Sequence, residues 1–319
     1  MIKESNFPSL VFFGTPTFAS YCLKALLEKD FPVLAVVTAP DRKAGRGKKL
    51  KASAVKALAR EYGLPILQPA NLKDPKFVTQ LAVLKAKIFI VVAFRMLPRL
   101  VWEIPPLGTV NLHASLLPNY RGAAPINWVL IHGEVKTGVT TFLINEQIDT
   151  GAILLQKEVA IESSENAGSL HDKLLQAGAP LIIETIKNLA KGSIISKTQQ
   201  LIGEEHEAPK LSSENTQLDW KLPLEKLRNK IRGLNPSPGA WSFFENNGKQ
   251  ERLKLFDVEI VYKSHTHPIG KILVESDKIF IANSEGLLSC LEIQLPNKKR
   301  MSAKALLNGY KFDVKARVL

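Results

Sequence analysis

At 319 residues, 45 % hydrophobic and 23 % charged, the chain is long enough for two domains with real cores and too apolar to be a disordered or low-complexity protein. Its two cysteines, Cys22 and Cys290, have no paired spacing, which excludes a disulfide framework or a thiolate metal site, and no stretch reaches the roughly 18 apolar residues of a membrane span. The net charge of +13 is uneven: residues 1–100 carry 17 basic and 6 acidic side chains, residues 101–200 carry 7 and 9, and residues 201–319 carry 19 and 15.

Two basic zones about a neutral centre suit a long polyanion, because neutralised phosphates supply most of non-specific affinity. Lysines decorating an ordinary surface are the plain alternative. The first apolar stretch runs straight into Gly14, so no signal peptide is expected, and the unpaired cysteines suit a reducing cytoplasm.

In chain order, Leu10–Phe13 reads as a buried strand. Thr15 then offers a cap and Pro16 a first helical position for a helix to about Lys29. Pro32–Thr38 is a second strand, Ser53–Tyr62 a helix, Ala86–Ala93 and Thr109–His113 further strands, and Ala124–His132 a helix. Gly138–Ile144 and Ile153–Ile161 follow as strands, then a long helical region, Ser164–Lys191. This alternation of strand and helix predicts an α/β domain over residues 1–191 with a mostly parallel sheet. Residues 192–210 are polar without a clear period and are expected to link it to a second domain, 211–319. There a short helix at Leu224–Arg232 precedes five strand-like segments, Ala240–Glu245, Arg252–Tyr262, Gly270–Val274, Lys278–Asn283 and Leu287–Leu295. Regular spacing of short strands predicts a small barrel.

Asn111 and His113 stand two residues apart at the carboxyl end of a predicted strand, so both leave the same face where open parallel sheets bind ligands. An amide can donate to a developing oxyanion, and an imidazole can move a proton or hold a charge. Taken in isolation, the pair reads more simply as the close of a strand, with the histidine bonded to backbone. Asp149, in a loop between two strands, could orient His113 or take a proton itself. Its Asp149-Thr-Gly151 context also matches an aspartic protease, but that mechanism needs the motif twice in a chain and it occurs once. Residues 40–51 hold Arg42, Lys43, Arg46, Lys48, Lys49 and Lys51 against Asp41 alone, interleaved with glycines, as a loop that could fold onto phosphates. Gly14-Thr-Pro-Thr lacks the later glycines of a dinucleotide loop, and His265-Thr-His267 has no third ligand nearby.

Together, Asn111-x-His113, Ser115-Leu-Leu-Pro118, Arg121-Gly-Ala-Ala-Pro125 and Ile148-Asp149-Thr-Gly151 resemble the active site of the folate-dependent formyltransferases. The basic stretch at 40–49 and Ile231-Arg-Gly-Leu-Asn-Pro-Ser-Pro-Gly-Ala-Trp-Ser242 resemble parts of the members that act on tRNA. The resemblance implies a Rossmann-like catalytic domain and an OB-like barrel, with Asn111, His113 and Asp149 as the catalytic trio. It implies folate contacts at Ser115, Leu116, Leu117 and Pro118, and a grip on RNA by Arg42, Lys43, Arg46, Lys48 and Lys49. The implied reaction moves the formyl group of 10-formyltetrahydrofolate to the α-amino group of methionyl initiator tRNA. Every charge that develops there has a partner among the trio, so no metal is expected, and the chain is expected to act as a monomer away from membranes. Three segments depart from the usual pattern: Asn145-Glu-Gln-Ile148, Ala93-Phe-Arg95 and Ser237.

Overall fold

The computed structural model describes residues 7–44, 49–201, 203 and 205–319. They fall into two compact units. The first holds the chain up to Gly122, then Lys136–Ala160 and His171–Glu207, and the second holds Ala123–Val135, Ile161–Leu170 and Ala208–Leu319. The units thus differ from the boundaries expected at 191 and 211. Two stretches of the N-terminal part join the second unit, and most of the expected linker joins the first.

The first unit opens with β1 (Leu10–Gly14), α1 (Thr17–Leu27), β2 (Val33–Val37), β3 (Arg42–Ala44), β4 (Lys49–Lys51), α2 (Ala54–Glu61) and β5 (Ile66–Leu67). It continues with α3 (Pro75–Val83), β6 (Ile88–Val92), α4 (Arg99–Trp102), β7 (Thr109–His113) and β8 (Arg121–Gly122). After α5 (Pro125–His132), which belongs to the second unit, come β9 (Lys136–Leu143), β10 (Ile153–Ala160) and α6 (Ala167–Ala190). The sheet order is β10-β9-β7-β6-β1-β2-β5. Strands β7, β6, β1, β2 and β5 are parallel, whereas β9 runs antiparallel to β7 and β10 antiparallel to β9. All five residues of β1 and of β6 are buried, as expected of parallel strands covered on both faces. Phe13 and Phe89 pack with ring centroids 5.2 Å apart, and each such buried ring contributes roughly 2–3 kcal/mol. Because the chain runs outward from β1 through β2 to the edge strand β5 and then crosses back past β1 to β6, the sheet switches direction between β1 and β6, and the carboxyl ends of its central strands define a crevice for ligands.

Two local expectations are corrected. Thr15 does not cap α1: the Pro16 carbonyl accepts from the Ser20 amide at 3.1 Å, which makes Pro16 the flanking residue, without a side-chain cap. The basic segment, read as a loop, has paired arms, β3 against β4, with Arg42 opposite Lys51 and Lys43 opposite Leu50. Arg46 and Lys48 lie outside the described residues.

The second unit contains β11 from its last residue (Glu207–Ala208), α7 (Leu224–Gly233), β12 (Ala240–Asn246), β13 (Lys249–Val261), β14 (Ile272–Glu275), β15 (Lys278–Asn283) and β16 (Gly286–Gln294). It ends with β17 (Met301–Ser302), α8 (Ala303–Leu307) and β18 (Arg317–Val318). The antiparallel order is β14-β15-β16-β13-β12-β18. The Ile272 amide donates to Ala316 O at 3.0 Å and the Val318 amide to Gly270 O at 2.8 Å, bringing β18 back to β14 as a nearly closed, OB-like barrel. Leu224, Leu227 and Ile231 form one buried face of α7 and join Phe244, Leu255 and Leu288 in the core. No helix among the described residues is long and apolar enough to cross a membrane.

Candidate active site

Strand β7 is hydrogen-bonded on both sides, Asn111 lying opposite Val91 of β6 and Phe142 of β9. Its pleat sends Asn111 and His113 to one face. Asn111 is half-buried, and its amide has no hydrogen-bond partner among the described residues. His113 is buried, with its Nε2 2.7 Å from Tyr120 O. A carbonyl only accepts, so Nε2 carries a proton and donates it. The bland alternative for this histidine, a bond to backbone, is therefore half true. The other ring nitrogen, Nδ1, faces Asp149 Oδ2 at 3.7 Å.

Asp149 is held there by its loop. Oδ2 accepts from the Gly122 amide at 2.9 Å, and Gly122 has φ 124°, a left-handed conformation natural to glycine. Two residues on, a Cβ at Gly151 would lie 1.6 Å from Leu143 O, so only glycine lets the loop pass this close to β9. Asp149 itself has φ 54°. Ahead of it, Asn145 Oδ1 accepts from the Gln147 amide at 3.1 Å and from Thr150 Oγ1 at 3.0 Å, tying the loop to itself.

With Nε2–H occupied by Tyr120, a neutral imidazole would turn the Nδ1 lone pair toward a carboxylate. Two acceptors facing each other across 3.7 Å repel unless a proton lies between them. The pair is thus a seat for an N–H group or for a proton leaving one, and the free amide of Asn111 adds donors on the same strand face.

The stretch Ser115–Pro118 is committed mainly to structure. Ser115 Oγ donates to Asn119 O at 2.6 Å, the Leu117 amide donates to Thr140 Oγ1 at 3.2 Å, and Leu117 O accepts from Gln156 Nε2 at 2.9 Å. Ser115 and Leu117 are buried, while Leu116 and Pro118 remain half-buried. Arg42 is exposed and pairs with no carboxylate among the described residues. Its neighbour Asp41 bonds Lys56 Nζ at 2.7 Å. Among the described residues no group of three or more His, Cys, Asp or Glu is placed to hold a metal. The roles of the Tyr120 carbonyl and the Gly122 amide had no signal of their own in the sequence, since every residue carries such groups.

Two family models match the chain. One described as formyl transferase covers residues 9–186, and one described as the formyl transferase C-terminal domain covers residues 210–311. The methionyl-tRNA formyltransferase of Flavobacterium johnsoniae is 47 % identical over 97 % of this chain and 98 % of its own length. That of Bacteroides thetaiotaomicron is 44 % identical over 95 % of this chain and 96 % of its own. Among solved structures, an N-formyltransferase from Helicobacter canadensis in complex with folinic acid and dTDP-3-aminofucose superposes with a TM-score of 0.66 at 19 % identity, covering 88 % of this chain and 97 % of that one. HypX from Aquifex aeolicus in complex with tetrahydrofolic acid gives 0.63 at 18 % identity, covering 97 % of this chain and 49 % of that one. At these identities the two structures share the fold.

Proposed function

The chain belongs to the formyl transferase family, and from that premise we propose that it transfers the formyl group of 10-formyltetrahydrofolate to the α-amino group of methionyl initiator tRNA. An α-amino group titrates near pH 8, so a useful fraction is a neutral nucleophile without strong activation. What the residues supply is position and charge. Asn111 donates to the formyl oxygen as negative charge gathers there, an effect worth about 3–4 kcal/mol for one well-placed donor. His113 Nδ1 and Asp149 Oδ2 receive the amine N–H between them and carry its proton toward the departing folate nitrogen. Once cationic, His113 adds its charge beside the oxyanion.

The donor set fits the folate substrate: an open amide, a carboxylate and an imidazole on one strand end, flanked by the half-buried Leu116 and Pro118. Ser115 and Leu117 serve that contact by shaping the turn. For the RNA, Arg42, Lys43, Arg46, Lys48 and Lys49 meet phosphates of the acceptor arm, and the barrel meets the arm elsewhere. Residues 1–191 and 211–319 are then the catalytic and RNA-contacting domains, joined by 192–210, a division supported by the two family matches at 9–186 and 210–311. The protein works as a cytoplasmic monomer, where Cys22 and Cys290 stay free. Burial pushes both thiols up to about 12.

The observation that carries this function is the facing of His113 Nδ1 and Asp149 Oδ2 across 3.7 Å in a chain 47 % identical to a tRNA formyltransferase. Incubating the protein with 10-formyltetrahydrofolate and methionyl initiator tRNA should yield formylmethionyl-tRNA. Formylation of an amino sugar nucleotide with none of the tRNA would overturn it.

A further inference from the structure

Gln199 lies in the polar stretch between the two family matches. Its amide is bonded at both ends. Nε2 donates to Asp149 O and to Gly151 O, each at 2.8 Å, and Oε1 accepts from Arg121 Nε at 3.0 Å and Nη2 at 2.5 Å. A primary amide has two N–H donors and two oxygen lone pairs, and all are used. The Arg121 fork also decides which way the amide faces, because a flipped amide would aim its oxygen at two carbonyls and its N–H groups at a cation.

The backbone brings Gln199 to this position. Lys197, two residues earlier, exchanges both amide–carbonyl bonds with Ile153 at 2.8 Å. Further on, the Tyr120 amide donates to His206 O at 2.6 Å and the His206 amide to Asn119 Oδ1 at 3.1 Å. The stretch is therefore fastened at both ends around the loop that carries Asp149. That loop needs such support, because Asp149 has φ 54°, and a non-glycine residue persists there only where its surroundings over-determine it.

Resting on the proposed transfer and on Asp149 as part of its machinery, we infer that Gln199 is a positioning residue, which with Arg121 holds the Asp149 carboxylate opposite His113 Nδ1. Gln199 touches backbone carbonyls and Arg121, not the reacting atoms. Its effect is on where the carboxylate stands and on the charge beside it.

Gln199→Leu keeps the bulk of the side chain and loses all four hydrogen bonds. With full-length protein, kcat should fall roughly ten- to hundredfold, as for other groups that orient a reacting side chain, while KM for the formyl donor and for tRNA stays within about twofold. Gln199→Glu can still accept from Arg121 but cannot donate, and it sets a negative charge near Asp149. The acid limb of its kcat–pH profile should move to higher pH. In an Asp149→Asn background, Gln199→Leu should cost little more, because the two act through one carboxylate. A merely structural glutamine would instead lower Tm, raise both KM values and add its full loss to that of Asp149→Asn, which overturns the inference. So does a wild-type kcat in Gln199→Leu. Failure of the wild-type protein to formylate the tRNA would sink the function itself, and only a wild type that transfers can single out Gln199.

Discussion

The Asn111 amide is half-buried with no hydrogen-bond partner among the described residues, so truncating it orphans nothing and should leave the fold alone. In Asn111→Ala, kcat should drop roughly a hundredfold or more with folate affinity and Tm retained, the signature of a contact made in the transition state. An unchanged turnover number would remove Asn111 from the mechanism. Gly151 makes the opposite case. Its added methyl would stand 1.6 Å from the Leu143 carbonyl oxygen, a backbone atom of β9 that cannot swing aside, so the Asp149 loop must move. Gly151→Ala should cost on the order of 1–3 kcal/mol in urea unfolding and at least tenfold in kcat. Retention of both would mean that the loop is more compliant than its packing indicates.

At the scale of elements, the pair β3 and β4 is rooted by Asp41, whose carboxylate bonds Lys56 at 2.7 Å and Gln68 at 3.0 Å. These hydrogen bonds, first Lys56 and then Gln68, hold the Asp41 carboxyl below the ordinary carboxylate range. A group whose pKa falls on folding stabilises the protein above its unfolded value, about 3.9, and loses that contribution as pH drops through the folded value. Urea titrations should therefore show Asp41→Asn less stable than wild type at pH 6, with the gap closing below about pH 4. A gap constant with pH would assign the effect to packing. The same hairpin presents Arg42. Neutralising Arg42 and Arg46 should raise KM for tRNA and reduce the slope of log KM against log salt by about 1 for each phosphate contact removed. Indifference of tRNA kinetics to both charges would return the segment to surface decoration.

Over the whole molecule, the net charge of +13 gathers in residues far apart in the chain. Lys298 and Lys299 are exposed in the barrel unit, and their neutralisation should weaken tRNA binding independently of the Arg42 and Arg46 changes. The two sets should add in free energy, as separated contacts to one polyanion do. A combined variant no weaker than the more damaging set alone would show that only one zone meets RNA.

Strand β7 follows the expected limits Thr109–His113 and β15 the expected Lys278–Asn283, because continuous apolar runs and alternation are properties of the chain itself. The same holds for the pairing of Asn111 with His113 on one face, which needs only the pleat. What the chain pattern could not contain is whatever depends on backbone groups, since these are the same at every residue. The bond from His113 Nε2 to Tyr120 O, which leaves Nδ1 to face Asp149, is one such case, and the grip of Gln199 on two carbonyls of the Asp149 loop is another. β18 is only two residues long, too short for any period, yet its return to Gly270 and Ile272 brings the barrel nearly to closure. Helix α5 was legible as a helix, but its place in the second unit arises from packing against partners remote in sequence. Periodicity determined the main strands and helices, and the resemblance of the motifs supplied the candidate chemistry. Tertiary structure decided which nitrogen faces which oxygen, because that geometry is set by hydrogen bonds between segments that meet only after folding.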